Sequence, residues 1–318
     1  MILFATTAFH RYTLLNTVRK LIGRDTVRVV SYDWLFRQSS IRASCVVFTD
    51  FDRLRHFELA EAGRVYGQLR DAGFRVLNDP AKARQRFDLL NALHAAGINR
   101  FQAYPAVLRP TPCRFPVFLK CESNHLQDFD ELIADQQSLD AKLDAIEASG
   151  ISLRDLLVIE FANDPIRDNV YHRTTVYRIG ERIIPGVPVV EDKPFVKYGR
   201  IEVARQEDFA IFGDWMRKNP EEEQMLRVFD IARIDYGRAD YVAGPDGLSI
   251  FEINTNPTIR ARIPEQDAAF LDIATERFDQ LIEAIRSLDG EDRTISLDQD
   301  RSRSARLRFR AGFFLKIP

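Results

Sequence analysis

Two stretches of alternating apolar and polar residues flank Gly244-Pro245-Asp246-Gly247, and this pattern constrains the fold more than any other. Glycine, proline and aspartate in this order are typical of a type I turn followed by a left-handed glycine, so the pattern predicts a β-hairpin with a three-residue loop and a bulge. That register pairs Asp240 with Glu252 and Arg238 with Asn254. These four side chains then share one face of the ribbon. The opposite, apolar face carries Ala239, Tyr241, Phe251 and Ile253.

The polar face of this hairpin has the composition of a metal site. Two carboxylates directly across a strand pair repel each other unless a cation or a shared proton lies between them. Asp240, Glu252 and the amide of Asn254 offer only oxygen ligands, which suits Mg²⁺ better than zinc or copper. Arg238 could neutralise charge on a phosphoryl group during transfer. Hydrated surface charges are the alternative, but the strict separation of a polar and an apolar face favours a site.

The composition is that of a globular protein with two or three lobes, since 318 residues exceed the usual size of one hydrophobic core. A formal net charge of −2 argues against a general binder of nucleic acid or anionic membranes. No stretch approaches the roughly 20 apolar residues of a membrane span. The three cysteines, an odd number without zinc-site spacing, fit a reducing compartment, so we expect a cytoplasmic protein.

The C-terminal segment 301–318 differs from the rest of the chain in charge. It contains six basic residues and no acidic one, so removing them from the net charge of −2 leaves −8 for residues 1–300. We interpret it as a solvated or partly ordered basic end, because its leucines and phenylalanines could equally dock on the body of the protein.

Hydrophobic periodicity outlines the elements that precede the hairpin. Residues 1–80 alternate apolar runs with helical periods, the pattern of a small parallel α/β sheet. Asp79-Pro80 predicts the start of a helix that ends at Gly97 as its C-terminal cap. Strands are expected at 114–123, 156–162 and 174–186, one or two amphipathic helices at 128–150, and a further helix at 220–236.

The end of the hairpin, Phe251-Glu252-Ile253-Asn254-Thr255-Asn256-Pro257, resembles the end of the ATP-grasp catalytic core, where an Arg-x-Asp strand precedes a Glu-x-Asn strand and a nearby proline. The helix at 78–98 and the segments PVFLK, LLVIEF and TTVYRIGERII resemble earlier parts of that core, in the same order. The match extends over residues 1–285. It implies an α/β and α+β chain with the ATP-grasp fold, in which an N-terminal α/β domain precedes two α+β lobes that clasp ATP.

This plan divides the chain into four expected parts. They are an N-terminal α/β domain at 1–80, a small ATP-grasp lobe at 81–155, a large metal-binding lobe at 156–288 and a basic tail at 289–318. Substrate choice would belong to the first domain and to loops at 163–172 and 185–200. In the second loop, Lys193, Lys197 and Arg200 could meet an anionic substrate or face water.

The resemblance also implies nucleotide contacts. Lys120 would contact the phosphates, and Arg86 stands where the family commonly has a second phosphate-binding lysine. Glu160 would accept a hydrogen bond from the adenine amino group, while the backbone of Phe161 and Ala162 would imitate a base pair. A solvent-facing position is the alternative for each of the three charged residues.

Further roles follow from the same resemblance. Asp168 would bind the ribose hydroxyls, with Asp164 as the alternative, and Arg173 would lie near the phosphates or a substrate carboxylate unless it pairs with a surface acid. Arg238 would stabilise the transferring phosphoryl group and the tetrahedral species that follows it. Asn256 would add a metal ligand or hold substrate. The implied metal ligands are Asp240, Glu252 and Asn254.

One departure from the family pattern concerns the phosphates. After Lys120 the family often has a flexible glycine-rich loop, whereas the segment CESNHLQDFDE contains no glycine. Covering of the phosphates then falls to Ser123, Asn124 and His125 or to another element. Cys121 has no base partner in the sequence and is better explained as a small buried thiol.

The reaction implied by the resemblance is that of an ADP-forming carboxylate–amine ligase. ATP with Mg²⁺, or Mn²⁺, would activate a carboxylate as an acyl phosphate, and an amine, less often a thiol or hydroxyl, would displace phosphate. We expect amino-acid or peptide substrates, no nucleic acid or membrane partner, and a homodimer as an open alternative. Two other functions stay open: an ATP-grasp kinase that phosphorylates a stable acceptor, and a non-catalytic ATP-binding or ATP-sensing protein.

Overall fold

The structure is a computed structural model that describes residues 1–122, 128–244, 247–259 and 268–298. Its first part is a parallel sheet of four strands in the order β2-β1-β4-β5. The elements are β1 (Ile2–Thr6), α1 (Arg11–Asn16), α2 (Val18–Ile22), β2 (Val27–Ser31), α3 (Tyr32–Leu35), β3 (Ser40–Ala43), β4 (Cys45–Phe48), α4 (His56–Asp71) and β5 (Arg75–Leu77). The apolar runs of the sequence become the fully buried strands β1 and β4, which confirms the predicted parallel α/β sheet.

The second part is an antiparallel sheet that carries Lys120 and Glu160. Its elements are α5 (Arg86–Ala95), β6 (Ala103–Pro105), β7 (Val117–Cys121), β8 (Asp128–Ile133), α6 (Gln136–Ala148) and β9 (Leu156–Glu160). The strand order is β6-β9-β7-β8. Leu139, Leu143 and Ile146 of α6 pack into the core beneath this sheet, so one side of β7 is apolar and the other faces the cleft described below.

The third part is an antiparallel sheet in the order β11-β10-β13-β14, with β12 also paired to β10. Its elements are β10 (Tyr171–Ile179), β11 (Arg182–Pro185), β12 (Val189–Glu191), α7 (Gln206–Lys218), α8 (Glu222–Ala232), β13 (Tyr236–Gly244), β14 (Gly247–Asn254) and α9 (Ala268–Arg286). A last strand, β15 (Arg293–Ser296), pairs with β3. No helix in the described ranges is both long and apolar enough to cross a membrane.

Three predicted helices have different bounds in the structure. The helix expected from Asp79-Pro80 begins only at Arg86. Asp79 instead starts a separate turn, in which its side chain accepts from the Ala81 N–H at 3.0 Å. Gly97 has φ +70°, as its predicted place at the helix end requires. The segment 128–150 is the strand β8 followed by one helix, since Asp135 caps α6 by accepting from the Ser138 N–H at 2.8 Å. The helix expected at 220–236 ends at Ala232.

Asn78 joins the N-terminal sheet to the third sheet. Its side-chain nitrogen donates to the carbonyls of Phe48 and Tyr236 at 2.9 and 2.8 Å, and its oxygen accepts from the N–H groups of Asp235 and Tyr236. Phe4 packs edge-on against Tyr236, with ring centroids 5.4 Å apart. This fully buried asparagine therefore holds the beginning of β13, the strand that carries Arg238 and Asp240, against the N-terminal sheet.

Candidate active site

The hairpin of β13 and β14 brings the predicted polar residues together. Asp240 lies opposite Glu252 and Arg238 lies opposite Asn254, which confirms the predicted pairing. Because side chains alternate along each strand, these four residues point to one face of the sheet. β10 adds Arg173 to the same face, since Thr175, two residues further along β10, pairs with Asp240.

The pairing near the turn differs from the prediction. Gly244 pairs with Gly247 rather than with Leu248, so the loop is one residue shorter than expected. Phe251 is an extra residue in β14 and forms a β-bulge, because Tyr241 pairs with Ile250 and Asp240 pairs with Glu252. Beyond the bulge, the pairing is the predicted one. Phe251 was expected on the apolar face, and this expectation is wrong. The bulge turns its side chain towards the cleft, where its ring lies 6.3 Å from that of Phe101.

Asp240 is the most buried group on the polar face, with 2% of its side chain exposed. Arg173 donates to it at 2.7 Å, and Arg238 donates to both its oxygens at 2.8 and 2.9 Å. Burial raises the pKa of the Asp240 carboxyl, Arg238 and Arg173 oppose that rise, and Glu252 adds to it. Its pKa is raised overall, so this carboxylate sits where additional positive charge is stabilising.

Glu252 and Arg86 connect the polar face to the second sheet. Arg86, the first residue of α5, donates to Glu252 Oε2 at 2.8 Å and also donates to the carbonyl of Cys121 at the end of β7. Its side chain is only 9% exposed. The N-terminus of α5 is held by Glu122, whose carboxylate accepts from the Phe87 N–H at 3.0 and 3.2 Å. Arg86 is thus fixed between the two sheets.

A cleft of about 170 Å³ lies between these sheets and has two chemically different ends. One end is ionic and is lined by Arg86, Lys120, Arg173, Lys197, Asp240 and Glu252. The other end is aromatic. There Phe195 lies 5.1 Å from Phe118 and 5.8 Å from Phe161, all edge to face. An apolar slot beside a cluster of charges matches a molecule with a flat ring and an anionic chain.

Comparison with solved structures identifies the fold. A crystal structure of D-alanine–D-alanine ligase from Bacillus anthracis aligns with 91% of this chain and 98% of its own, at 13% identity and a TM-score of 0.51. The chain has an ATP-grasp fold. The same enzyme complexed with ATP aligns at 12% identity (89% of this chain, 98% of its own, TM-score 0.49). The ATP-grasp ligase PsnB with a minimal precursor aligns at 16% identity (89% and 99%, TM-score 0.47).

Neither the known protein-family models nor the curated proteins include a match to this sequence. The likeness to solved structures shows the ATP-grasp fold alone, because the identity is low. Roles for individual residues therefore rest on the geometry of this chain.

Glu160 has partners other than those expected for an adenine-reading side chain. Its carboxylate is buried and accepts from the Gln102 N–H at 3.0 Å, the Tyr104 hydroxyl at 2.9 Å and the Arg114 N–H at 3.1 Å. These three donors belong to the segments around β6 and β7. The geometry therefore gives Glu160 a structural role. Glu160 also lines the cleft, and its predicted contact with the adenine amino group stays a prediction.

The predicted backbone contacts at Phe161 and Ala162 lie at the aromatic end of the cleft. The Phe161 N–H already donates to the carbonyl of Pro116 at 2.9 Å. The Phe161 N–H is therefore already used within the fold. Phe118 and Phe195 were not predicted from sequence, because they come together only when β7, β9 and the 192–200 loop meet.

The predicted ribose-binding acids do not line the cleft. Asp168 is exposed, and Asp164 is exposed and pairs with Arg100. The sequence could not place them because both lie in an irregular loop. Asn163 lines the cleft instead. Its Nδ2 donates to the carbonyls of His172 and Pro194, and its buried Oδ1 has no hydrogen-bond partner among the described residues.

Five other predicted positions and the C-terminal segment remain. Asn256 faces the N-terminal sheet, where its Nδ2 donates to the His10 carbonyl at 3.3 Å, so it joins two parts of the fold. Cys121 is buried, as expected. The candidates Ser123, Asn124 and His125 lie outside the described residues, as does the segment 301–318.

The residues proposed to hold a metal fit an oxygen-ligating cation. Asp240 and Glu252 face each other in register, and Asn254 shares their face, with its Oδ1 accepting from the Asn256 N–H at 2.8 Å. The described residues contain no cluster of three or more His, Cys, Asp or Glu side chains that could hold a metal ion, and the set here has only two carboxylates besides the amide. Two carboxylates and one amide form a hard, oxygen-only set of the kind that binds Mg²⁺ through phosphate oxygens.

Proposed function

We propose that this protein is an ATP- and Mg²⁺-dependent ligase that activates a carboxylate as an acyl phosphate and joins it to an amine. One observation carries the proposal. A face with two opposed carboxylates and two arginines adjoins a cleft that is aromatic at one end and cationic at the other. Each part of that arrangement has a task in ADP-forming ligation.

The nucleotide is proposed to lie along the cleft with its base among Phe118, Phe161 and Phe195. The base edge would bond to the backbone after β9, and Asn163 Oδ1 would accept from a hydroxyl or amino group of the nucleoside. The phosphates would reach Lys120 and the ionic end. A base stacked between aromatic rings is worth about 1–3 kcal/mol in proteins that bind single-stranded nucleic acid.

Asp240, Glu252 and Asn254 would hold Mg²⁺, which when bound neutralises charge on phosphate oxygens. Mn²⁺ has similar ligand preferences and is proposed as a substitute. The arginines that contact the two carboxylates would then also face the phosphates. Arg86 and Lys120 would orient the γ-phosphate, and Arg238 would stabilise negative charge that develops during transfer.

The proposed reaction has two steps. A substrate carboxylate oxygen attacks the γ-phosphorus of ATP, the bond to the β-phosphate oxygen breaks, and ADP leaves. An amine then attacks the acyl carbon, inorganic phosphate leaves, and the nitrogen loses a proton. No nucleophile of the protein is needed in either step, which agrees with the buried position of Cys121. We propose amino-acid or peptide substrates and a cytoplasmic location.

ADP release tests this proposal. Purified protein with ATP and Mg²⁺ is screened against pairs of carboxylic acids and amines, with Glu252→Ala as the blank. We expect ADP and phosphate in equal amounts for an accepted pair, and loss of at least 100-fold in the blank. ATP consumption without ADP and phosphate would reject the mechanism, and so would a phosphorylated product that survives hydroxylamine, because an acyl phosphate does not.

A further inference from the structure

A second cavity, of about 370 Å³, adjoins the nucleotide cleft. Arg173 and Lys197 line both cavities, and Arg238 lines the second. The boundary between the two therefore lies where the γ-phosphate of the proposed ATP would end. A group that reacts with that phosphate can reach it from this second cavity.

The far walls of the second cavity are apolar. Helix α7 contributes Phe209, Phe212 and Met216, and helix α9 contributes Phe270 and Phe278. These side chains belong to cores that also hold the two helices against the sheet. A ligand in this cavity gains most by burying a large apolar group between α7 and α9.

Among the described residues that line the cavity, every charged one is basic. Besides Arg173, Lys197 and Arg238 they include Arg200 and Arg277, and no Asp or Glu is among the described residues that line it. Asp240 contacts Arg173 and Arg238, and Asp192 contacts Arg200, so five basic side chains meet two acidic ones and an excess of positive charge remains. A carboxylate is attracted to such a surface, whereas an ammonium group is repelled by it. The lining therefore favours an acid and disfavours an amino acid with a free α-ammonium.

One wall of the cavity is fixed before any ligand binds. The buried Glu191 Oε1 accepts from the backbone N–H groups of Lys197, Tyr198 and Gly199 at 3.0, 2.7 and 2.8 Å. Arg173 also donates to the Lys197 carbonyl at 3.0 Å. These hydrogen bonds hold the loop that separates the two cavities. Less conformational entropy of the loop is therefore lost when a ligand binds.

We propose that the second cavity receives the acid substrate, and that this acid is a monocarboxylate with a bulky apolar body and no ammonium group beside the carboxylate. The inference rests on the proposed function for its chemistry, and it assigns the proposed amino acid or peptide to the amine position. The carboxylate lies at Arg173, Lys197 and Arg238, and the apolar body lies between α7 and α9. The cavity volume of about 370 Å³ is in the range of sites that bind small molecules.

Isothermal titration of acids into the protein, saturated with Mg²⁺ and a non-hydrolysable ATP analogue, tests the inference. The decisive pair is 3-phenylpropionate and phenylalanine, which share the same body and differ by the ammonium group; octanoate and acetate compare long with short chains. We expect 3-phenylpropionate to bind at least tenfold tighter than phenylalanine, and octanoate at least tenfold tighter than acetate.

A variant locates the binding site. Ala204 lines the second cavity and not the cleft, so Ala204→Leu should fill part of the cavity and weaken 3-phenylpropionate at least tenfold. Binding of the ATP analogue should stay unchanged, which also shows that the variant is folded. Ala141→Leu, on the exposed face of α6, is the matched control and should change neither.

Two results would overturn the inference: phenylalanine or acetate binding as tightly as its apolar partner, or Ala204→Leu leaving the affinity for 3-phenylpropionate intact. Absence of binding by every acid would overturn it too. The proposed function is judged separately, by ADP release with hydroxylamine as the amine. Turnover that prefers acetate would leave the ligase in place and reject the cavity as its acid site.

Discussion

Replacing Glu160 by glutamine distinguishes a structural role of this side chain from a role in recognising the nucleotide base. Oxygen Oε1 accepts from the Tyr104 hydroxyl and the Arg114 N–H, and Oε2 accepts from the Gln102 N–H. A glutamine can keep only one of these oxygens. If that oxygen serves Tyr104 and Arg114, the new NH₂ group faces the Gln102 N–H, and two donors meet in a buried place.

The loss can be estimated from the bonds concerned. A hydrogen bond to a charged group contributes about 1.5–3 kcal/mol, and a buried donor left without a partner costs about 1–3 kcal/mol. Since the two remaining bonds weaken but persist, we expect the free energy of unfolding to fall by about 2–4 kcal/mol. If the role of this carboxylate is structural, the preference for ATP over GTP should not change, because its three donors belong to the protein itself.

Urea denaturation and nucleotide titration measure these two effects. Glu131→Gln, in the same sheet, is the matched control. Glu131 is exposed and pairs with Lys142 at 2.6 Å, so its loss should cost less than about 1 kcal/mol. The reasoning is refuted if Glu160→Gln is as stable as the control and shifts the ratio of ATP to GTP affinity tenfold or more.

Three further predictions concern other parts of the molecule. Phe195→Ala should weaken ATP about tenfold and leave inorganic triphosphate unaffected in the same titration, since only the base loses a stacking partner. Asn78→Ala should lower the free energy of unfolding by about 3 kcal/mol in urea, because four backbone groups, three of them in buried hydrogen bonds, lose their partner; a loss below 1 kcal/mol would contradict this. Iodoacetamide at pH 8 should label the exposed Cys113 well before Cys45, because burial raises the pKa of Cys45 to about 12 and only about 1 in 10⁴ of its thiols is then ionised. Peptide mapping decides the last case, and equal labelling would refute it.

The hairpin was predictable because its signals are local. Alternation along β13 and β14 and the glycines around the turn determine which side chains face each other, and the structure confirms Asp240 opposite Glu252. The bulge was misplaced by the sequence reasoning, which put it in the turn. The predicted three-residue loop and the observed shorter loop followed by a bulge at Phe251 give the same strand pairing beyond the bulge. Periodicity therefore cannot distinguish these two arrangements.

The nucleotide contacts were harder to predict because they depend on distant segments. Glu160 occupies the expected strand end, but its partners come from residues 102–114, which no pattern places beside it. Phe118 and Phe195 are far apart in sequence and meet only through the fold. Asn163 could have been suspected from its place just after the expected strand at 156–162, where a side chain can turn into a cleft.

The Mg²⁺ dependence of ATP binding tests the central claim most directly. We predict that isothermal titration of ATP shows binding with Mg²⁺ and at least tenfold weaker binding with EDTA. Glu252→Gln should reduce the Mg²⁺ effect, because one of the two carboxylates loses its charge, and Glu131→Gln should preserve it. Binding that is equally tight with Mg²⁺ and with EDTA, or no ATP binding at all, would contradict the assignment of this hairpin as the metal- and nucleotide-binding face.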